Sequence, residues 1–205
     1  MDRYPNIAFV GKQGSGKTTL AKVLVQNHRY HRWSWADPIR QIFELAYGPI
    51  GHYPTMKATK YEVRVNGRLV TRTGGELLQL IGTEAMRDQV DEDFWIKAAL
   101  RRMSLPRLVN DDTRFVNESD ALRQRGWLMV RVEAPDEVRY ARLGDTRRPE
   151  SHKSESQQDL IEPHVVLDNG DETAPEALIG ELFELIRELP EDWAIKGLDK
   201  PFEVL

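Results

Sequence analysis

The chain has 205 residues, a formal net charge of −4, 40% hydrophobic residues and no cysteine. The length favours one compact domain, and the apolar fraction is sufficient for a hydrophobic core. The lack of cysteine excludes disulfides, thiolate catalysis and cysteine-ligated metal centres, and the acidic balance argues against a protein that coats a nucleic acid polymer. No apolar run approaches the roughly 20 residues that cross a bilayer, and the N-terminus lacks a signal-peptide pattern, so we expect a cytoplasmic protein without a membrane partner.

In chain order, short apolar runs alternate with amphipathic segments. Predicted strands cover 6–10, 32–35, 105–110, 127–134 and 164–168. Predicted helices cover 19–25, 37–47, 74–86, 92–103, 116–125, a segment that starts at 135–136, and 174–188. Apolar strands that alternate with helices are typical of a parallel sheet with both faces covered. The predicted fold class is therefore α/β, a three-layer sandwich around a mainly parallel five-stranded sheet.

A β-hairpin is predicted to interrupt this alternation. The Asn66-Gly67 pair supplies the positive φ angles of a tight turn, and it is flanked by the alternating apolar residues of 63–70. We interpret residues 59–72 as an insertion, which follows an irregular, turn-rich stretch at 48–60.

Two further local features are predicted from polar residues. Residues 144–160 are highly charged and are expected to form a mobile lid. Asp37 is expected to act as the N-cap of the helix that begins with Pro38, because aspartate favours that position and proline favours the first helical turn.

Residues 11–18, Gly-Lys-Gln-Gly-Ser-Gly-Lys-Thr, match the complete phosphate-binding pattern G-x4-G-K-T. An apolar strand precedes them and an amphipathic helix follows, which is the context that the pattern requires. Backbone N–H groups of such a loop bind phosphate oxygens, Lys17 reaches the β- and γ-phosphates, and Thr18 can ligate Mg²⁺. The residues predicted to bind ATP here are Gly11, Gly14, Ser15, Gly16, Lys17 and Thr18.

Arginines suited to holding further phosphate groups are spread over the rest of the chain. They are Arg40, Arg87, Arg114, Arg139, Arg142, Arg147 and Arg148. A kinase needs cations on both the donor and the acceptor phosphates, together with a cover that excludes water. A GTPase is not indicated, because the chain has no guanine-reading Asn-Lys-x-Asp segment.

Two consecutive carboxylates, Asp111 and Asp112, end a strand that is predicted to lie beside the strand before the phosphate-binding loop. At that edge a carboxylate can hold a Mg²⁺-bound water or orient an acceptor phosphate. Capping of the strand end is the alternative role for the pair.

Together, these motifs resemble the deoxynucleoside monophosphate kinases of bacteriophages, a branch of the P-loop nucleoside monophosphate kinases. The resemblance extends from about residue 5 to residue 188. Its motifs are GKQGSGKT at 11–18, WADPIR at 35–40, GTEAMRD at 82–88, FW at 94–95, DDTRF at 111–115 with Asn117-Glu118, and HKSE at 152–155. It implies a P-loop kinase fold and transfer of the γ-phosphoryl group of ATP to a dNMP with Mg²⁺, which gives ADP and a dNDP.

The resemblance also implies roles for single residues. Residues 35–103 would form the monophosphate-binding region, with Asp37, Arg40, Arg87, Trp95 and Asp112 at the acceptor site. The catalytic residues would be Lys17, Asp111, Asp112, Arg114 and Arg142. Further residues on the ATP side would be Arg147 and Arg148 in the lid, and Asp168 and Asn169 in a loop near the base.

Two alternatives stay open at this point. A dephospho-coenzyme A kinase-like enzyme would share the loop, an Ala-Asp segment near residue 36 and a late Asn-Gly, and a P-loop NTPase switch would act on a macromolecular partner. The accepted base, the preference for deoxyribose and the choice between Asp111 and Asp112 for the metal are also open. So are homodimer formation and the roles of the hairpin and of the tail at 189–205. A phage origin would place the enzyme in the host cytoplasm.

Overall fold

A computed structural model describes residues 4–144, 157–170, 173–190 and 192–193. The chain divides into two compact units. We call Met1–Ser34 with Ser104–Leu205 the sheet unit, and Trp35–Met103 the inserted unit. The range of the inserted unit coincides with the region that the resemblance assigns to the monophosphate. Within the described part of the chain, no helix is long and apolar enough to cross a membrane.

The described elements follow the predicted order. The strands are β1 Ile7–Val10, β2 His31–Arg32, β3 Lys60–Val65, β4 Arg68–Thr73, β5 Leu108–Asn110, β6 Leu128–Glu133 and β7 Val165–Asp168. The α-helices are α1 Lys17–Asn27, α2 Asp37–Tyr47, α3 Tyr53–Ala58, α4 Gly74–Gln79, α5 Phe94–Leu100, α6 Val116–Arg123, α7 Asp136–Leu143 and α8 Pro175–Glu188. A π-helical segment, Leu80–Arg87, continues α4, and a 3₁₀ helix covers Gln158–Leu160.

The sheet unit is built on five parallel strands in the order β2-β5-β1-β6-β7. On one face, Ile7 and Phe9 of β1 pack in one core cluster with Leu24 of α1 and Ile179 of α8. On the other face, α6 covers β6, and the Ser119 hydroxyl contacts the sulfur of Met129. The predicted α/β sandwich with a mainly parallel five-stranded sheet is therefore confirmed, although β2 and β5 are shorter than expected.

The inserted unit has a small core of its own, which Phe43, Met56 and Leu77 form. The predicted hairpin is present as β3 and β4, with φ angles of 49° at Asn66 and 80° at Gly67. The irregular stretch predicted at 48–60 is wrong in part, because it contains α3. That helix forms where Met56 packs against the core, a tertiary contact that turn-rich local sequence does not reveal.

The structure also differs from the prediction in the start of one helix and in the length of another. Ala36, not Asp37, is the N-cap of α2, and Asp37 is the first helical residue. Its carboxylate accepts a hydrogen bond from Nη1 of Arg40 at 2.8 Å. The helix predicted at 74–86 changes into the π-helical segment after Gln79. There the Trp95 indole N–H donates to the Gly82 carbonyl at 2.5 Å.

The neutral imidazole ring of His164, which directly precedes β7, bonds to β6. Its Nδ1 accepts the Met129 N–H at 2.9 Å, and Nε2 lies 3.3 Å from Nη1 of Arg123. Burial, and secondarily the charge of Arg123, lowers the pKa of His164 from 6.5 to about 4. Protonation at Nδ1 would break the bond to Met129 and add a second cation beside Arg123.

We expect this ring to make the fold less stable in acid. Above pH 6.5 its contribution is complete, and as the pH falls from 6.5 towards about 4 the unfolded chain binds a proton that the folded chain excludes. Because the ring is only partly buried, the loss should be about 1–2 kcal/mol, less than the full shift implies. Urea unfolding at about pH 7.5 and about pH 4.5 measures it.

The variant His164→Gln can still accept the Met129 N–H but does not titrate. It should lose less stability than the wild type over the same pH range, whereas the control His31→Gln, at an exposed position, should lose as much as the wild type. Equal losses in wild type and His164→Gln would contradict the assignment.

Candidate active site

The phosphate-binding loop lies at the carboxyl end of β1, at the edge of a parallel sheet where α/β proteins bind ligands. Gly14 and Gly16 have φ angles of 83° and 103°, a region that favours glycine. A Cβ at Gly14 would lie 2.7 Å from the Arg139 carbonyl oxygen, and one at Gly16 would lie 2.2 Å from Nδ2 of Asn169. Both glycines are therefore required by the close approach of neighbouring elements as well as by backbone conformation.

The loop presents several hydrogen-bond donors suited to phosphate. Among the described residues, the amides of Gly14, Gly16 and Thr18 have no acceptor. The hydroxyl of Ser15 is buried and also has no partner. Since Thr18 belongs to the first turn of α1, the positive end of the helix dipole adds to these donors. The arrangement can bind an anion with several oxygens.

Lys17 folds back on the loop in this structure. Its Nζ donates to the carbonyl oxygens of Gly11 and Lys12, the second at 2.8 Å. The ammonium group is thus held at the loop, within reach of an anion that the amides bind.

Three side chains from α7 and from the end of β7 bind the carbonyl side of the loop. Arg139 Nη1 donates to the Gln13 oxygen at 3.0 Å, and Asn169 Nδ2 donates to the Ser15 oxygen at 2.7 Å. Arg142 connects the two elements, because its Nη1 lies 3.4 Å from the Gly14 oxygen and its Nη2 donates to the Asn169 oxygen at 3.1 Å.

These contacts differ from the predicted roles. Arg139 is expected from its spacing to face phosphate, but it is 4% exposed and is paired with Asp136 at 2.5 Å. That bond holds the pKa of Asp136 below its ordinary value. The Asn169 side chain contacts the loop backbone, and Asp168 accepts the Gly170 N–H at 2.8 Å. Arg147 and Arg148 lie outside the described residues.

The C-terminal end of the segment predicted as a lid contacts the phosphate-binding loop. Gln158 is 2% exposed, and its Oε1 accepts the Gly11 N–H at 3.0 Å. Arg131 donates to the carbonyl oxygens of Gln158 and Ile161, and Lys12 lies 3.9 Å from Asp159. The last residues of the predicted lid at 144–160 are therefore anchored to the loop and to β6, and residues 145–156 of that prediction lie outside the described residues. A lone glutamine in a polar stretch carries no sequence signal for this contact.

Asp111 and Asp112 lie beside the start of the loop, because β5 pairs with β1 in the register Ala8↔Asn110. Their partners differ. The Asp111 side chain is 3% exposed and accepts two bonds from Arg32, at 2.8 and 3.1 Å. The observed partner of the Asp111 carboxylate is thus the Arg32 guanidinium.

Asp112 is oriented through both carboxylate oxygens. Oδ1 accepts from Asn110 Nδ2 at 2.7 Å, and Oδ2 accepts from the Ser34 hydroxyl. Asn110 is fully buried and also accepts from Thr113. Next to it, the main chain of Arg114 donates to the Glu118 carboxylate at 2.8 Å. Ser34, Asn110 and Arg32 carry no sequence signal for these contacts, because each bonds to residues from other parts of the chain or follows a strand end.

Four of the predicted acceptor-site residues, Asp37, Arg40, Arg87 and Trp95, belong to the inserted unit, whereas Asp112 belongs to the sheet unit. Asp37 and Arg40 form an ion pair at the start of α2, and Arg87 ends the π-helical segment. Trp95 is 3% exposed and uses its N–H on Gly82, so it is a core residue rather than a free stacking surface.

A groove of about 220 Å³ runs along α1 in the sheet unit. It begins at Thr18, and two basic side chains, Lys22 and Arg32, line it. No group of three or more metal-ligating side chains occurs among the residues that the structure describes.

Comparisons with known proteins agree with this geometry. No protein-family model matches the sequence. A putative deoxynucleotide monophosphate kinase from Acanthamoeba polyphaga mimivirus is 26% identical over 147 residues, which are 63% of this chain and 74% of that protein.

Similar folds occur in solved structures of small kinases. Shikimate kinase from Acinetobacter baumannii, in complex with shikimate, has a TM-score of 0.53 at 17% identity, over 90% of this chain and 94% of that one. A gluconokinase from Sinorhizobium meliloti 1021 has a TM-score of 0.52 at 15% identity, over 96% and 99%. The chain therefore has the P-loop kinase fold, and the comparisons support the enzyme class that the sequence predicts, an ATP-dependent phosphotransferase.

Proposed function

We propose that this protein is a deoxynucleoside monophosphate kinase that transfers the γ-phosphoryl group of ATP to a dNMP. The observation that carries the proposal is the loop at 11–18, whose amides without acceptors lie at the carboxyl edge of a parallel sheet. The acceptor class is supported by the mimivirus relative and by the motifs at 35–40, 82–88 and 111–118.

On the donor side, the amides of Gly14, Gly16 and Thr18 bind phosphate oxygens, and the buried Ser15 hydroxyl gains a partner. Lys17 exchanges its bonds to the loop carbonyls for bonds to the β- and γ-phosphates. This exchange replaces neutral acceptors with anionic ones, which make stronger hydrogen bonds.

The oxygen donors near the loop fit Mg²⁺. The Thr18 side chain is exposed at the start of α1, and the Asp112 carboxylate is oriented by two neutral donors, Asn110 and Ser34. We propose that Thr18 ligates the ion and that Asp112 holds one of its waters. Asp111, which is buried against Arg32, keeps a structural role. Bound Mg²⁺ would neutralise charge on the β- and γ-phosphates.

On the acceptor side, we propose that Arg40 and Arg87 bind the monophosphate. Asp37 orients Arg40 through their 2.8 Å ion pair. Trp95 supports the π-helical segment that carries Arg87, through its bond to Gly82, and does not stack on the base. Arg114, Arg142, Arg147 and Arg148 remain candidates for neutralising the transferred group.

The reaction needs little proton transfer. An oxygen of the acceptor phosphate attacks the γ-phosphorus, and the bond from that phosphorus to the bridging oxygen of ADP breaks. Because the attacking phosphate is already an anion, catalysis rests on alignment and charge neutralisation.

An acceptor panel tests the proposal directly. ADP release from Mg·ATP should rise at least about tenfold over hydrolysis with one or more dNMPs, and Lys17→Ala should lower kcat/KM about 10³-fold. Lys22→Ala, on the exposed face of α1, is the matched control and should stay within about threefold.

A panel in which no dNMP stimulates ADP release would refute the acceptor assignment. Stimulation by dephospho-coenzyme A, shikimate or gluconate instead would make the protein a kinase of another small molecule. Hydrolysis that responds only to a macromolecule would favour a switch.

The two aspartates should separate activity from stability. We expect Asp112→Asn to lower kcat about 100-fold with little change in the free energy of unfolding. Asp111→Asn should lower the free energy of unfolding by about 1 kcal/mol and change kcat less than about threefold.

Arg32→Met is the control for this pair. It leaves the Asp111 carboxylate buried without its cation, so it should cost about 2 kcal/mol of stability and have a similarly small effect on kcat. Steady-state kinetics and urea unfolding of the three variants measure both quantities. The reverse pattern, with kcat lost in Asp111→Asn and kept in Asp112→Asn, would exchange the assigned roles.

A further inference from the structure

The outer side of the phosphate-binding loop is held by side chains that bind its carbonyl oxygens. Asn169 donates to the Ser15 carbonyl oxygen at 2.7 Å, and Arg139 donates to the Gln13 carbonyl oxygen at 3.0 Å. Both donors come from elements that follow the loop by more than 120 residues. Their bonds are therefore tertiary contacts on the loop and do not belong to its local turn structure.

These two bonds determine where two amides point. In a trans peptide the C=O of one residue and the N–H of the next lie in one plane and point in opposite directions, and no cis peptide occurs in the described residues. A Ser15 carbonyl held outwards therefore directs the Gly16 N–H inwards. A Gln13 carbonyl held outwards does the same for the Gly14 N–H.

The same two amides have no acceptor among the described residues, whereas the intervening Ser15 N–H closes a turn on the Lys12 oxygen at 3.2 Å. Gly14 and Gly16 are the loop residues whose peptide planes can rotate most freely, because glycine has no Cβ to restrict them. An outer hydrogen bond is thus present at the peptide plane of each of these two glycine amides.

Both donors are themselves held in place. The Arg139 side chain is 5% exposed and is fixed by Asp136. Asn169 is 8% exposed, its N–H donates to the Glu133 oxygen at 2.7 Å, and its carbonyl accepts from Arg142. Burial and these bonds hold both donors against the loop.

We propose that Asn169 and Arg139 are positioning residues that orient the Gly16 and Gly14 amides for the phosphates of the donor nucleotide. The inference rests on the proposed function only in that the loop binds those phosphates. It assigns Asn169 to the phosphate end of the donor, whereas the resemblance assigns its loop to the base.

The test compares two ligands that share phosphates and differ in the base. The affinities of the full chain for Mg·ATP and for Mg·tripolyphosphate are measured by calorimetry for the wild type, Asn169→Ala and Arg139→Lys. Each variant should bind both ligands about tenfold more weakly, and by the same factor for both. A role in base binding would weaken ATP binding and leave tripolyphosphate binding unchanged.

The NMR signal of the Gly16 amide provides a second measurement, which a loss of stability alone would not change. In the wild type the ¹H–¹⁵N resonance of Gly16 should shift on adding Mg·tripolyphosphate, and in Asn169→Ala this shift should be smaller. Asn169→Leu, which keeps the side-chain volume, replaces Asn169→Ala if that variant is poorly folded. The matched controls Asn27→Ala, on the exposed end of α1, and Arg125→Lys, whose guanidinium binds the Ala121 oxygen, should keep wild-type affinity for both ligands.

Unchanged tripolyphosphate affinity in both variants would overturn the inference and leave the kinase proposal intact. Because the assay contains no acceptor, the expected losses would stand even if no dNMP were phosphorylated. A wild-type chain that binds neither ligand would overturn the inference together with the assignment of the loop.

Discussion

The proposed chemistry of this protein depends on a few backbone N–H groups of the phosphate-binding loop that have no hydrogen-bond acceptor within the described part of the protein. Buried backbone donors are almost always satisfied within a protein, so amides without acceptors persist only where their surroundings hold them. Here the carbonyl oxygens that precede the Gly14 and Gly16 amides bind Arg139 and Asn169. The parallel sheet places this loop at its carboxyl edge, and α1 adds its positive end.

The neighbouring carboxylates are also positioned by residues from distant parts of the sequence. Asp111 and Asp112 are adjacent in sequence, yet consecutive residues at a strand end point in opposite directions. One of them therefore meets Arg32 at the edge of the sheet, and the other meets Ser34 and Asn110. The two side chains are chemically identical, yet Asp111 forms a buried ion pair, whereas Asp112 is a partly exposed carboxylate oriented by hydrogen bonds.

Features with strong local signals were predictable. The five strands, the hairpin turn at Asn66-Gly67 and the closing helix α8 follow from hydrophobic pattern and turn chemistry, which act over a few residues. Features that the local sequence did not reveal have a common cause. The helix α3 depends on Met56 packing in a core, Gln158 at the end of the predicted lid binds Gly11, and the side chain of Trp95 is buried, all through contacts between separate elements.

By itself, the sequence determined that the chain is an α/β protein with a phosphate-binding loop, since glycine, lysine and threonine at fixed spacing have one recurrent physical use. Only the tertiary structure decided what surrounds that loop. Arginine and asparagine side chains are equally suited to phosphate, to a base or to a carbonyl oxygen, so their composition and spacing leave the partner undetermined. The partner is set by which elements the sheet brings together, and for Arg139, Asn169 and Gln158 that partner is the loop backbone.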